Sequence, residues 1–192
     1  MILTFVFALI LAKIKKQKLS VLFKAYALYP VYLSELFVMF LQANVFLGNF
    51  YFSRHLELIK MLHLGLYIIP VIAYGLYKQA LVGSAFVFAG TALNKLVMHA
   101  NGGKMPVYPS LSRLTGYFSP EGLSAPGGIH SLGGPSTKLA FLADYIDVGY
   151  SVLSIGDLII RVYIILILYY TIVRLNRAAV PPPRIPSEKE TD

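Results

Sequence analysis

Glu35 lies inside a long apolar run, and Asn94, Lys95, Asp157 and Arg161 lie toward the ends of two others. A charge near the centre of a bilayer costs at least about 2.5 kcal/mol on insertion scales, so each of these residues demands a partner or a function. For Glu35 the functional reading is a proton or cation site; the structural one is a protonated carboxyl bonded to a neighbouring helix. Lys95 needs either a carboxylate, with Asp144 and Asp147 available from a nearby loop, or an anion such as a lipid phosphate or small carboxylate. Together with Asn94, Asn101, Lys104 and Arg161, it forms a candidate binding set for a lipid headgroup or small anion. Ser154 and Asp157 have the Ser-x-x-Asp spacing in which a serine oxygen and a carboxylate satisfy free donors at a helix start. Asp157 and Arg161 are one helical turn apart and can pair on one face.

The histidines at 55, 63, 99 and 130 offer two further chemistries. His63 and His99, on neighbouring spans, could serve as axial ligands to a haem, although histidines near a membrane interface need no such explanation. His130 could act as a base, with Asp144 or Asp157 as its partner, only within hydrogen-bond reach of a substrate. No metal spacing, nucleophile elbow, phosphate loop or dinucleotide fingerprint occurs. The chain has no cysteine, which removes thiolate catalysis, iron–sulfur ligation and disulfides.

The elements that must position these groups are apolar rods. Of the 192 residues, 57% are hydrophobic and 14% charged. A soluble domain averages about 25% charged residues, so a soluble enzyme is nearly excluded. Five apolar runs read as spans: Met1 to Ala12, Leu19 to Gly48, Leu58 to Tyr77, Ala80 to His99 and Ser154 to Leu175. The first is short and is followed by Lys13, Lys15, Lys16 and Lys18; cations after the apolar core argue for a retained helix over a cleaved signal. The second run is long enough to cross with tilt or with a kink at Pro30, and the short connection around Lys78 predicts an antiparallel hairpin of the third and fourth.

The net charge of +8 comes from cations at span ends, with no stripe for nucleic acid. Placing Lys13, Lys15, Lys16, Lys18, Lys78, Arg174, Arg177 and Arg184 in the cytoplasm gives an outside N-terminus and a cytoplasmic C-terminus. Without tryptophan, the interfacial belt falls to residues such as Phe50, Tyr51, Phe52, Tyr74, Tyr77, Tyr169 and Tyr170. Residues 1–177 form one transmembrane domain, and the proline-rich stretch 178–192 reads as a disordered cytoplasmic tail.

The segment 101–153 carries nine glycines and five prolines, yet keeps Val107, Tyr108, Leu111, Phe118, Leu142 and Ile146. Its apolar content predicts a folded outer loop that caps the last two spans, with a short interfacial helix over Leu139 to Val148. Asn101 with Gly102 and Gly103 suits either a helix exit or a phosphate site completed by Lys104.

Asn101-Gly102-Gly103-Lys104-Met105-Pro106-Val107, then His130-Ser131-Leu132, Phe141-Leu142-Ala143-Asp144 and Ser154-Ile155-Gly156-Asp157, resembles a family of small bacterial integral membrane proteins catalogued as a domain of unknown function. The resemblance covers roughly Leu93 to Tyr170 and implies a bacterial cytoplasmic-membrane protein with no assigned activity. The expectation is therefore an all-α, polytopic bundle of about five spans, without metal or cofactor, acting as an accessory or assembly subunit beside larger membrane partners. Headgroup or anion binding is the alternative, followed by a membrane-embedded enzyme or haem-binding redox subunit.

Overall fold

The computed structural model describes residues 2–49, 55–123 and 128–179. Phe50, Tyr51, Phe52 and nearly all of the proline-rich tail lie outside the described residues. Helix α1 (Ile2–Ile14) turns Thr4, Ala8 and Ala12 inward, a row of small side chains one turn apart that admits a neighbour closely. Two 3₁₀ stretches, Leu19–Lys24 and Tyr26–Leu28, lead into α2 (Tyr29–Phe46). Pro30 sits in the first turn of α2, where its missing N–H has no partner to lose. Of the two expectations, tilt or a kink at Pro30, the kink does not form, because the proline starts a helix instead.

Helices α3 (Leu56–Leu66) and α4 (Ile68–Tyr74) divide at Tyr67, because Pro70 withholds the donor that the Leu66 carbonyl would receive. Gly75 then takes φ 63, a left-handed turn open to glycine, and the chain enters α5 (Tyr77–Ala100). The last long helix completes the bundle and is numbered α8 (Ile155–Ala178), after two short cap helices.

Three stretches, Tyr26–Phe46, Tyr77–Ala100 and Ile155–Ala178, are long and apolar enough to cross a membrane; Ile2–Ile14 and Leu58–Tyr74 are shorter apolar helices. All five runs read as spans are thus helical. Their outward faces are greasy: Leu33 is 70% exposed, Leu81 76% and Phe88 78%. Water would penalise such faces, whereas hydrocarbon accepts them.

Polar contacts fix the helix directions. Arg161 reaches Thr4, and the backbone of Lys18 pairs with the Asn176 side chain, so α1 and α8 run parallel. Asn94 meets Ser154 and Asp157, while Gly75 lies beside Arg174, so α5 runs antiparallel to α8. Lys13, Lys15, Lys16, Lys18, Lys78, Arg174 and Arg177 consequently gather at one end, and the segment 101–153 covers the other.

Packing departs from the expected hairpin. Helix α5 lies along α8 and touches α4 only slightly. Glycine is the reason. A Cβ on Gly83 would stand 2.6 Å from Tyr163 Cδ2, one on Gly90 would strike the Gly156 carbonyl, and one on Gly156 would strike Asn94 Oδ1. Around this seam Ala8, Tyr67, Ile164, Ile167, Leu168 and Ile172 form the buried core.

The cap contains extended structure that composition did not suggest. Strand β1 (Met105–Val107) pairs in parallel with β2 (His130–Leu132), and β3 (Ile146–Asp147) pairs antiparallel with β4 (Val152–Leu153). Between β1 and β2 lie α6 (Leu111–Leu114) and α7 (Pro120–Leu123). The helix expected over Leu139 to Val148 is absent: Ala140–Leu142 makes one 3₁₀ turn, and Asp144 then bridges to Val107. Backbone donors and acceptors drawn toward β1 are no longer available to a helix ladder. Met105 and Ala143 bury against Val97 of α5, which fixes the cap to the bundle.

Gly156→Val is expected to lower stability by about 1–3 kcal/mol or more through overpacking of the α5–α8 seam. Gly65→Ala, where a Cβ meets nothing within 4 Å, is the control and is expected to be neutral or mildly stabilising. Thermal unfolding in mild detergent checks both.

Candidate functional site

The residues proposed as anion ligands separate once the fold is in place. Ser154 donates to Asn94 Oδ1 (2.8 Å) and accepts from the Asp157 backbone N–H (2.9 Å), while Asn94 Nδ2 donates to Asp157 Oδ1 (2.9 Å). The Asp157 side chain returns to the Ser154 N–H, completing a capping box. Asn94 is therefore part of the joint that holds α5 to the start of α8. Asn101 donates to the carbonyls of Val97 (2.8 Å) and Lys138 (2.9 Å) and accepts from the Lys138 N–H (3.0 Å). Gly103 N–H closes the helix end on the Met98 carbonyl. Asn101 and its glycines thus serve the helix exit.

Arg161 donates to Thr4 Oγ1 (2.8 Å) and is not within ion-pair distance of Asp157, whose oxygens face Asn94 and its own cap. Lys95 is exposed on α5. Lys104 lines a cavity in the cap.

That cavity has a volume of about 560 Å³ and is bounded by Lys104, Arg113, Phe118, Leu123, His130 and Ser131, among others. Two cations face it, with no acid among the described lining residues. The Arg113 guanidinium stacks 5.2 Å above the Phe118 ring, which orients its donors without consuming them. Helix α6, which carries Arg113, is held by Asp147: one oxygen accepts from the Ser110 and Ser112 N–H groups (2.7 and 2.9 Å) and from the Ser112 hydroxyl (2.7 Å). Burial alone would raise the Asp147 carboxyl, but these bonds and one from Gly149 outweigh it and hold the group below the ordinary carboxylate range.

His130 Nε2 stands 3.6 Å from Asp144 Oδ2, so the structure brings together one of the histidine–acid pairs considered from sequence. Asp157, the other candidate partner, is committed to the α8 cap. Burial and the nearby Asp157 carboxylate push Asp144 up to about 7, with Lys60 opposing. Burial and Lys60 push His130 down to about 4, with Asp157 opposing. The separation is that of an ion pair, yet desolvation dominates both groups, so in weak acid the pair is a neutral carboxylic acid facing a neutral imidazole. A carboxyl in that state adds no negative charge to the cavity beside it.

A second polar group lies within the bundle. Glu35 and His63 are both buried, with Oε1 and Nε2 3.4 Å apart, and His63 Nδ1 lies 2.9 Å from Ser34 Oγ. His99 is exposed in the last turn of α5. With both ring nitrogens of His63 directed to α2, the structure does not gather the two histidines as ligands around a common axis. Among the described residues no group of three or more His, Asp or Glu could hold a metal ion.

Arg113, Ser131, Thr4, Ser34 and Tyr67 were not singled out from sequence. Arg113 carried a detectable signal, a cation between Leu111 and Leu114 in the cap segment. The others become polar partners only through contacts between distant parts of the chain.

Apolar helices with lipid-compatible faces and a folded cap over one end define a helical membrane protein. Residues 2–169 match a family of unknown function (DUF5317), and the chain belongs to that family. No curated protein and no solved structure matches it.

The cap pair sets a pH signature. Between about 4 and 6.5 the unfolded chain carries one proton on His130, whereas the folded chain carries one on Asp144, so the two contributions to the pH slope cancel. Asp144→Asn leaves the histidine alone: its unfolded state binds the extra proton, so stability rises with pH from about 4 to 6.5. His130→Gln leaves the acid alone: its folded state binds the extra proton, so stability falls as pH rises from 3.8 to about 7. Melting temperatures across this range check the opposite slopes; parallel slopes in the two variants would refute the assignment.

Proposed function

We propose that the protein binds the phosphate of an anionic lipid headgroup, or a small free anion of the same chemistry, in the cap cavity at the outer face of a bacterial cytoplasmic membrane. The observation that carries this reading is the pairing of Lys104 with Arg113 around a cavity of about 560 Å³ that has no acid among its described lining residues. A volume of that size suits a glycerophosphate headgroup and is far larger than one ion needs. His130 and Ser131 supply further polar contacts at the wall.

The orientation is part of the proposal. Clustering of Lys13, Lys15, Lys16, Lys18, Lys78, Arg174 and Arg177 at the end opposite the cap supports a cytoplasmic position for that end and an outside N-terminus. The cap then lies level with the outer headgroups. An accessory role in a larger complex would use the exposed apolar faces of α2 and α5, but lipid satisfies those faces without a partner, so this reading takes second place.

Native mass spectrometry of protein extracted from mixed phosphatidylglycerol and phosphatidylcholine bilayers tests the proposal, with a parallel titration by water-soluble glycerophosphate. Preferential retention of phosphatidylglycerol points to the lipid source; tight glycerophosphate binding without lipid preference points to a free anion. Lys104→Gln combined with Arg113→Gln is expected to reduce the preference at least tenfold, since a hydrogen bond to a charged group contributes about 1.5–3 kcal/mol. Phosphodiester binding should weaken as pH rises through about 7, where Asp144 ionises beside the cavity. Undiminished binding by the double variant would remove the site, and recovery of a second membrane protein in its place would favour the accessory role.

A further inference from the structure

We infer that Glu35 and His63 together bind one proton in the interior of the bundle, at the junction of α2 and α3. Glu35 is 8% exposed and His63 2%, so neither is supported by bulk water. The directions of the hydrogen bonds fix the tautomer. Ser34 Oγ lies 2.8 Å from the Val31 carbonyl and 2.9 Å from His63 Nδ1. A serine hydroxyl has one hydrogen and the carbonyl can only accept, so both contacts are hydrogen bonds only if Ser34 donates to Val31 and His63 Nδ1–H donates to Ser34.

A neutral His63 in that tautomer presents a bare Nε2 lone pair to Glu35 Oε1 at 3.4 Å. An ionised carboxylate there would set lone pair against lone pair in a buried site. Neither carboxylate oxygen of Glu35 has another hydrogen-bond partner among the described residues. One added proton resolves the conflict, either as a carboxylic acid donating to Nε2 or as an imidazolium donating to the carboxylate. Both forms hold one proton more than a carboxylate with a neutral imidazole, and both are neutral overall.

Other polar and ionisable side chains surround the pair. Tyr67 from the α3–α4 junction, Arg161 from α8 and Tyr150 from the cap act electrostatically on Glu35, with Tyr163 of α8 packed behind Tyr67, Tyr32 on the same helix as Glu35, and Thr4 of α1 holding Arg161. Arg161 is a cation whose field reaches Glu35. Asp157, and beyond it Asp144, continue this line of ionisable groups to the cap. Proton binding here does not depend on the cavity binding an anion.

Two spectroscopic measurements on the full chain in lipid nanodiscs test it. Nitrogen-15 magnetic resonance of His63, assigned by its loss in His63→Gln, reads the ring protonation directly at neutral pH. Infrared spectra read a protonated carboxyl as a C=O stretch that shifts in heavy water. The expected result is either a neutral Nδ1–H ring with a carboxyl band that vanishes in Glu35→Gln and persists in Asp144→Asn, or a doubly protonated ring. A neutral Nε2–H ring with no carboxyl band assignable to Glu35 would overturn the proposal. The nitrogen spectrum reads the ring in the native chain, so poor folding of Glu35→Gln would not shield the proposal.

Discussion

The close approach of α5 to α8 is the contact from which the rest of the molecule is suspended. In hydrocarbon, apolar side chains gain little by leaving lipid for one another, so helices associate through tight backbone approach and through polar groups that lack better partners. Both devices operate along this seam. Gly83, Gly90 and Gly156 remove side chains where the two backbones meet, and the Asn94–Ser154–Asp157 joint closes the end nearest the cap. Asn94 reads both members of the α8 capping box, so the start of one helix is bonded to the side of another.

The cap inherits its position from that joint. The chain leaves α5 through Asn101 and returns to α8 through Ser154, and the described backbone between them is tied by short strand pairs and by bonds to the Asp147 carboxylate. Asp147 is the organiser of one side, because it gathers donors from two stretches of chain that carry no ladder of their own. The cavity with Lys104 and Arg113 is left where β2, α6 and α7 meet without a core of their own to fill it. Among the described lining residues the charge is one-sided, which is the condition for attracting an anion.

The interior of the bundle follows a different logic. Glu35, His63 and Arg161 sit on three different helices, and Glu35 and His63 face each other away from bulk water. Low dielectric makes each unsatisfied atom expensive, so such a cluster persists only where packing around it is otherwise good. Tyr67, fully buried between His63 and Tyr163, provides that packing.

Sequence alone determined the apolar rods, the grouping of cations at their ends, the capping box at Ser154 and Asp157, and the presence of a folded segment after α5. These are local properties: hydropathy over a helical length, charge at an end, and spacing within one turn. Tertiary structure alone decided that Asn94 and Asn101 brace the joint, that Pro30 begins a helix, and that α5 chooses α8 over its neighbour in sequence. It also decided that His63 meets Glu35 instead of His99, and that Lys104 joins Arg113 at one cavity. Each of these depends on which surfaces can approach most closely, and that is set by glycines and polar partners located far apart in the chain.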